Sequence, residues 1–264
     1  YGSDPKVIAL INLAWLDWFL GFPDRAMTTS REAIKTAQDI PHSLSEAYAT
    51  CMSAAMYQTR RDPVTAKDLA AKTVSLAKCN GFPYWEAWAS MIQGWAEAQC
   101  GSVEPGLDQI NEGLLKYRAT GSELFRPHGL ALLAEACWAA GRIDEALMHA
   151  DAALAVGLEC EVGFYNAEIY RMRGDLLDGL GAAREEIETS YGRAIAIAKR
   201  QGARSLELRA MVSIGRLRAE QGEVAQFREK LSHLLAWFTE GFDTPDFKDA
   251  SAILDERTWP PAHS

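Results

Sequence analysis

The sequence predicts an all-α solenoid: a right-handed superhelix of six helical hairpins followed by a C-terminal capping helix. Two ladders of residues carry the prediction. Small residues recur at Ala14, Ala54, Gly94, Ala134, Gly174 and Gly215, at spacings of 40, 40, 40, 40 and 41. In step with them run Gly21, Arg61, Gly101, Gly141, Gly181 and Gly222. A third observation is a hydrophobic content of 48%, enough for a continuous core. In such an array each hairpin buries its apolar face against its neighbours, so the chain builds a surface rather than a pocket.

Each unit reads as helix A, a tight turn, helix B and a stop. In the first, helix A runs over Pro5–Leu20, Gly21-Phe22-Pro23 turns the chain, and helix B reaches about Asp39. The turn recurs as Arg61-Asp62-Pro63, Gly101-Ser102-Val103-Glu104-Pro105 and Gly141-Arg142-Ile143-Asp144. Glycine ends the first helix in a left-handed conformation, and acidic residues with proline suit the first turn of the next. The stop after helix B falls at Pro41, Gly81, Gly121, Glu161 and Gly202. Five residues past each turn stand Ala26, Ala66, Gly106 and Ala146, which with the first ladder let helices A and B approach closely. The fifth unit is irregular: Glu186 stands where the small residue is expected, and the next unit starts one residue late. These boundaries give repeats at about 1–41, 42–81, 82–121, 122–161, 162–202 and 203–238. Residues 239–264 then read as a loop, a short helix over Pro245–Glu256 and a tail. That helix places Phe247, Ala250, Ile253 and Leu254 on one face, as a cap requires.

Composition narrows the partners. The net charge is −9 and Lys and Arg are dispersed, which argues against nucleic acid and anionic membrane. Five cysteines, none in a C-x-x-C pair, point to free thiols in a reducing cytoplasm. The longest apolar stretch, Val7–Phe19, holds Asn12 and Asp17 and is too short to cross a bilayer. The chain opens at Tyr1 with helix-type sequence almost at once, and is expected to be a piece of a longer protein.

The two ladders and the turn with alanine five residues on resemble the tetratricopeptide (TPR) repeat. The period here is 40 rather than 34, which lengthens each helix by roughly three residues, or ~4.5 Å. A closer likeness rests on Tyr1-Gly2 with Asp4-Pro5, Gly81-Phe82-Pro83-Tyr84-Trp85, Ser205-Leu206-Glu207-Leu208-Arg209 and, most specifically, Phe238-Thr239-Glu240-Gly241-Phe242-Asp243-Thr244-Pro245-Asp246. These resemble the C-terminal repeat region of large bacterial proteins that join a class III adenylate/guanylate cyclase domain to a signal-transducing ATPase module. The resemblance implies a regulatory, binding role in such a parent and carries no catalytic residue onto this chain.

Motifs for chemistry are lacking. No G-x-x-x-x-G-K-[ST] loop, H-E-x-x-H pair or nucleophile elbow occurs, and Gly179-Leu180-Gly181 reads as a helix stop. Glu145 and His149 share a helix face as a solvated pair, with too few companions for a metal. No enzyme activity, cofactor or metal is expected.

The informative chemistry lies on helix A. In TPR arrays the residue after the small one faces the concave groove, which the resemblance places at Trp15, Ala55, Trp95, Glu135, Asp175 and Arg216. At helical spacing on the same stripe stand Ile11, Trp18, Phe19, Tyr48, Cys51, Trp88, Met91, Ala131 and Trp138. Glu168, Arg171, Asp178, Arg209, Val212 and Glu220 continue it. The candidate groove is therefore Trp15, Trp18, Tyr48, Trp88, Met91, Trp95 and Trp138 at an aromatic end, with Glu168, Arg171, Asp175, Arg209 and Arg216 at a charged end. Aromatic faces would hold an apolar moiety or an amphipathic helix and the charges would orient its polar side. The same tryptophans could instead fill the ordinary core between repeats, and the charges could be internal ion pairs. The favoured function is a non-catalytic module that binds a protein segment or an adjacent domain of its parent. The alternatives are a small-molecule sensor with an aromatic groove and a structural oligomerisation scaffold.

Overall fold

The computed structural model describes residues 2–219 and 225–255, with side chains described except at 219, 225 and 226. Among the described residues there are thirteen helices and no strand. They are α1 (Pro5–Leu20), α2 (Pro23–Gln38), α3 (Ser43–Thr59), α4 (Pro63–Asn80), α5 (Pro83–Gln99), α6 (Val103–Ala119) and α7 (Arg126–Ala139). There follow α8 (Ile143–Glu159), α9 (Asn166–Gly179), α10 (Arg184–Gln201), α11 (Arg204–Ala219), α12 (Ala225–Leu235) and α13 (Pro245–Leu254).

Backbone chemistry explains where the helices stop. Gly21, Gly101, Gly141 and Gly181 all take positive φ between helices A and B, as do Gly81, Gly121 and Gly202 after helix B. Arg61 (φ 62°) and Glu161 (φ 55°) adopt the same left-handed conformation at two positions where the pattern lacks glycine. The repeat geometry therefore overrides residue preference there. Gly222 lies outside the described residues. Proline opens α2, α4, α5 and α13, where its missing N–H has no partner to lose.

The chain forms two compact units. The first holds Tyr1–Trp15 and Ala26–Tyr165, with α3 to α8 packed in sequence and the A helices α3, α5 and α7 also touching one another. Ala54, Ala66, Ala134 and Ala146 are wholly buried where helices A and B meet. The third hairpin is the tightest: a Cβ on Gly106 would lie 2.4 Å from the Gly94 carbonyl oxygen. Val7, Ile11, Ala33, Ala37 and Ala49 build a small core at the amino-terminal end of this unit, with Trp15 and Tyr48 packed against it.

The second unit gathers Leu16–Arg25 with the chain from Asn166 onward. Here α11 is the central helix, touching α9, α10, α12 and α13. An aromatic ring compensates for the irregular fifth hairpin. Gly174 faces Tyr191, whose ring would lie 2.4 Å from a Cβ, while Glu186 is exposed and Ile187 turns inward. The sixth repeats the device with Gly215 against Phe227. On α13, Ala250 and Ile253 are buried, and Thr244 caps the helix by accepting from the Phe247 N–H at 3.3 Å.

Candidate functional site

In the first unit the stripe on the A helices becomes a seam. Residues about forty apart on successive A helices touch, because equivalent positions of neighbouring repeats face each other. The Trp88 ring stacks on Phe125 with centroids 3.6 Å apart and planes 7° apart, and its Nε1 donates to His128 Nδ1 at 3.4 Å. Trp95 Nε1 donates to Glu135 Oε2 at 2.6 Å, a charge-assisted bond. Trp88, Met91 and Trp95 are buried, with Met91 fitted against Gly113 and Gly129. Tyr48 is half-buried, edge-on to Trp85 at 5.5 Å. Trp15 is also half-buried, whereas Trp138 keeps 37% of its surface exposed.

His128 occupies the centre of this seam and was not among the residues that the sequence singled out. It stands forty residues after Trp88, so extending the ladder through Tyr48, Trp88, His128 and Glu168 would have found it. An indole N–H can only donate, so Nδ1 accepts and Nε2 carries the proton. Nε2 then donates to Gln58 Oε1 at 3.1 Å, linking A helices two repeats apart. Tyr165 closes the site edge-on at 5.0 Å. Burial drives the imidazole pKa down to about 4, so the ring is neutral at ordinary pH. This seam is a packed polar core. A cleft of about 380 Å³ lies elsewhere, lined by residues including Lys78, Gln93, Gln109 and Lys116.

In the second unit the stripe is ionic. Glu168 accepts from Arg171 Nε at 3.0 Å and Nη2 at 2.8 Å, and Arg209 Nη1 lies 3.5 Å from the same oxygen. Arg171 also pairs with Asp175 and donates to Ser213 Oγ at 3.3 Å. Tyr191 donates its hydroxyl to Asp175 Oδ1 at 2.7 Å, and burial together with that carboxylate raises the phenol pKa. Arg209, only 7% exposed, bonds Asp246 of α13 at 2.8 Å and lies over the ring of the buried Trp18 at 5.3 Å. Arg216 is exposed and reaches Asp249 at 3.3 Å. Glu220 lies outside the described residues.

The second unit thus divides its charges. Glu168 and Arg209 are buried and fix α9, α11 and α13 against one another. Arg171 and Asp175 keep about a fifth of their side chains open, and Asp178 and Arg216 are exposed. Arg171 is therefore held by Glu168, Asp175 and Ser213 while part of its side chain still faces solvent. The acidic partners on α13 were missed because their pairing depends on how the loop after α12 directs the chain. Among the described residues no group of His, Cys, Asp and Glu could hold a metal ion, and no helix is long and apolar enough to cross a membrane.

No family model matches the chain. An uncharacterized protein of Rhizobium meliloti (strain 1021) is 26% identical over 216 residues, covering 82% of this chain and 21% of that protein. The chain therefore spans about a fifth of that relative's length. Among solved structures, a Rap protein complexed with Competence and Sporulation Factor is similar, with a TM-score of 0.67 at 10% identity, covering 96% of this chain and 73% of that one. PlcR of Bacillus thuringiensis, in complex with the peptide PapR7 and DNA, gives 0.62 at 15% identity, over 76% and 72% of the two chains. A signal transduction ATPase with a tetratricopeptide repeat sensor from Pyrococcus horikoshii gives 0.53 at 15% identity, over 94% and 38%. These likenesses show the fold: the chain is a TPR-like helical repeat region.

Proposed function

We propose that this chain is a non-catalytic interaction and regulatory module of a larger bacterial signalling protein. It binds a protein segment or a neighbouring domain of its parent through the A-helix stripe. The observation that carries this reading is the charged stripe of the second unit, where the paired Arg171 and Asp175 keep about a fifth of their side chains open and Asp178 and Arg216 are exposed. Fixed charges with an exposed edge suit an extended or helical segment that bears complementary charges. Of the proteins with a similar fold, PlcR was solved with the peptide PapR7 and DNA, and a Rap protein in complex with Competence and Sporulation Factor, which agrees with a segment as the partner. The resemblance to cyclase–ATPase proteins supports a parent of that kind, in which a sensor array is attached to an enzyme whose catalytic residues lie elsewhere.

The aromatic end supports a small-molecule ligand less well. Trp88, Trp95 and Met91 are in contact with their own neighbours, and a ligand would have to displace those contacts.

The test is an array of overlapping peptides covering the remainder of the parent protein, probed with the wild-type chain and with an Arg171→Ala/Arg216→Glu variant. The expected outcome is a small set of peptides bound by the wild type and lost at least tenfold in the variant. Equal binding by both chains would refute the charged edge, and binding of no peptide would refute a segment as the partner.

A further inference from the structure

The cleft of the first unit lies on the B-helix side of the hairpins rather than on the A-helix stripe. Its floor is α5 and its walls are α4 and α6, both of which pack on α5. Ion pairs fix the direction of the three helices. Lys116, late in α6, lies 3.7 Å from Glu86, early in α5. Lys67, early in α4, lies 3.0 Å from Glu97, late in α5. The walls therefore run parallel to each other and antiparallel to the floor. The lining extends from Ala71 to Lys78 on one wall and from Gln109 to Lys116 on the other, about 10 Å of helix in each case. The volume of about 380 Å³ is that of a small-molecule site.

The repeat itself shows that this space departs from ordinary packing. Forty residues on from Val74, Ser90, Gln93 and Lys116 stand Leu114, Leu130, Leu133 and Val156. Leu114, Leu133 and Val156 are buried, so apolar side chains occupy the next copy of the cleft. Serine, glutamine and lysine take their place here. Among the described residues the side chains of Ser75, Ser90, Gln93 and Gln109 form no hydrogen bond with the protein, although the last three are half-buried. Hydroxyls elsewhere in the unit pair with one another, as Ser30 with Ser53 at 2.7 Å and Thr50 with Thr73 at 2.8 Å. Two amides and two hydroxyls thus offer donors and acceptors to one open space.

Charge at the Lys78 end is balanced. Lys116 bonds Glu112 at 2.8 Å and lies near Glu86, while Lys78 has no carboxylate within ion-pair distance among the described residues. Lys116, and to a lesser degree Lys78, holds the exposed Glu112 carboxyl below its usual range. Two ammonium groups therefore face two carboxylates. A dianion such as phosphate would upset that balance, whereas a zwitterion preserves it. No aromatic ring among the lining residues offers a face on which a sugar could stack.

We propose that the cleft between α4 and α6 binds a small zwitterion that carries an amide, an amino acid or a dipeptide. The two charges of the ligand meet Lys78 and Glu112, and its amide meets Gln93 and Gln109 above the small residues Ala71 and Ser90. This goes beyond the A-helix stripe and stands or falls separately from it.

The test titrates L-glutamine and glycylglycine separately into the complete chain and follows the side-chain amide resonances of Gln93 and Gln109 by NMR. Saturable shifts with L-glutamine would assign an amino acid, and saturable shifts with glycylglycine alone a dipeptide. A Ser90→Leu/Gln93→Leu chain, which copies the residues of the next hairpin, should lose at least tenfold in affinity, read at Gln109. Lys78→Gln should lose about tenfold, the loss of one charge-assisted hydrogen bond. Inorganic phosphate and glycerol, titrated in the same way, should bind more weakly than the zwitterion. If circular dichroism shows that the double variant fails to fold, Lys78→Gln decides alone, since that side chain is exposed. No saturable shift with either compound, undiminished affinity in a folded variant, or binding of phosphate or glycerol as tight as that of the zwitterion would each overturn the proposal.

Discussion

Gly106 and Gly192 both sit inside helices, and replacing each with alanine should move stability in opposite directions. Helix propensity alone favours alanine over glycine by about 1 kcal/mol at either site. At Gly192 on α10 an added methyl group would meet nothing within 4 Å, so that gain is realised in full. At Gly106 on α6 the methyl carbon would lie 2.4 Å from the Gly94 carbonyl oxygen, 2.8 Å from Ala98 N and 3.0 Å from Ala98 Cβ. Two of these are backbone atoms that no rotamer change can move, so α5 and α6 must separate. Overpacking of that kind costs about 2–3 kcal/mol, the upper part of its usual range, leaving a net loss of about 1–2 kcal/mol. For a chain of this size each kcal/mol shifts the melting midpoint by roughly 2–4 °C. Thermal unfolding followed by circular dichroism should therefore place Gly192→Ala above the wild type and Gly106→Ala below it. If Gly106→Ala melts at or above the wild-type midpoint, the close approach of helices A and B is not what sets the small-residue ladder.

Three further outcomes follow from single residues. His128 has a folded pKa of about 4 against an unfolded value of 6.5, so protons bind the unfolded chain more readily; stability is intact above pH 6.5 and declines by roughly 3 kcal/mol as pH falls towards 4. Urea titrations at pH 7 and pH 4.5 should show a smaller loss in His128→Gln, and an equal loss in both chains would contradict the buried neutral ring. Arg61→Gly and Glu161→Gly should each raise stability by about 0.5–1 kcal/mol in the same titrations, because both positions hold left-handed backbone; a loss at either would refute strain there. Arg209→Met should melt several degrees lower and strip protection from α13 amides in hydrogen exchange, since it leaves the Glu168 and Asp246 carboxylates without their shared guanidinium; unchanged α13 protection would show that apolar packing alone holds that helix.

The hairpin architecture was legible because its signals are local and periodic. Glycine and proline mark the turns, and the small residues at Ala54, Gly94 and Ala134 mark where two helix backbones meet. Even the exceptions obey the period, as Arg61 and Glu161 show by adopting the glycine conformation. The use of each helix face was less legible. Period and spacing place Trp88 and Trp95 on the same stripe as Trp138, yet the first two are buried and the third is partly open, a difference set by which neighbour arrives opposite. Gln58 meets His128 across seventy residues, and Glu240 meets α2 across more than two hundred, and no local pattern encodes either contact. Buried polar pairs such as Gln58 and His128 depend on the completed packing.

The most direct test of the binding function is site-specific photo-cross-linking in the full-length parent protein, with a benzophenone amino acid at position 178 on the exposed edge of α9. The account predicts one dominant adduct, mapped by mass spectrometry to a defined segment of the parent or of a partner protein, and its loss on adding Arg171→Ala and Arg216→Glu. An adduct that persists undiminished in that variant, or none at all, would contradict the charged edge as the surface through which this array acts.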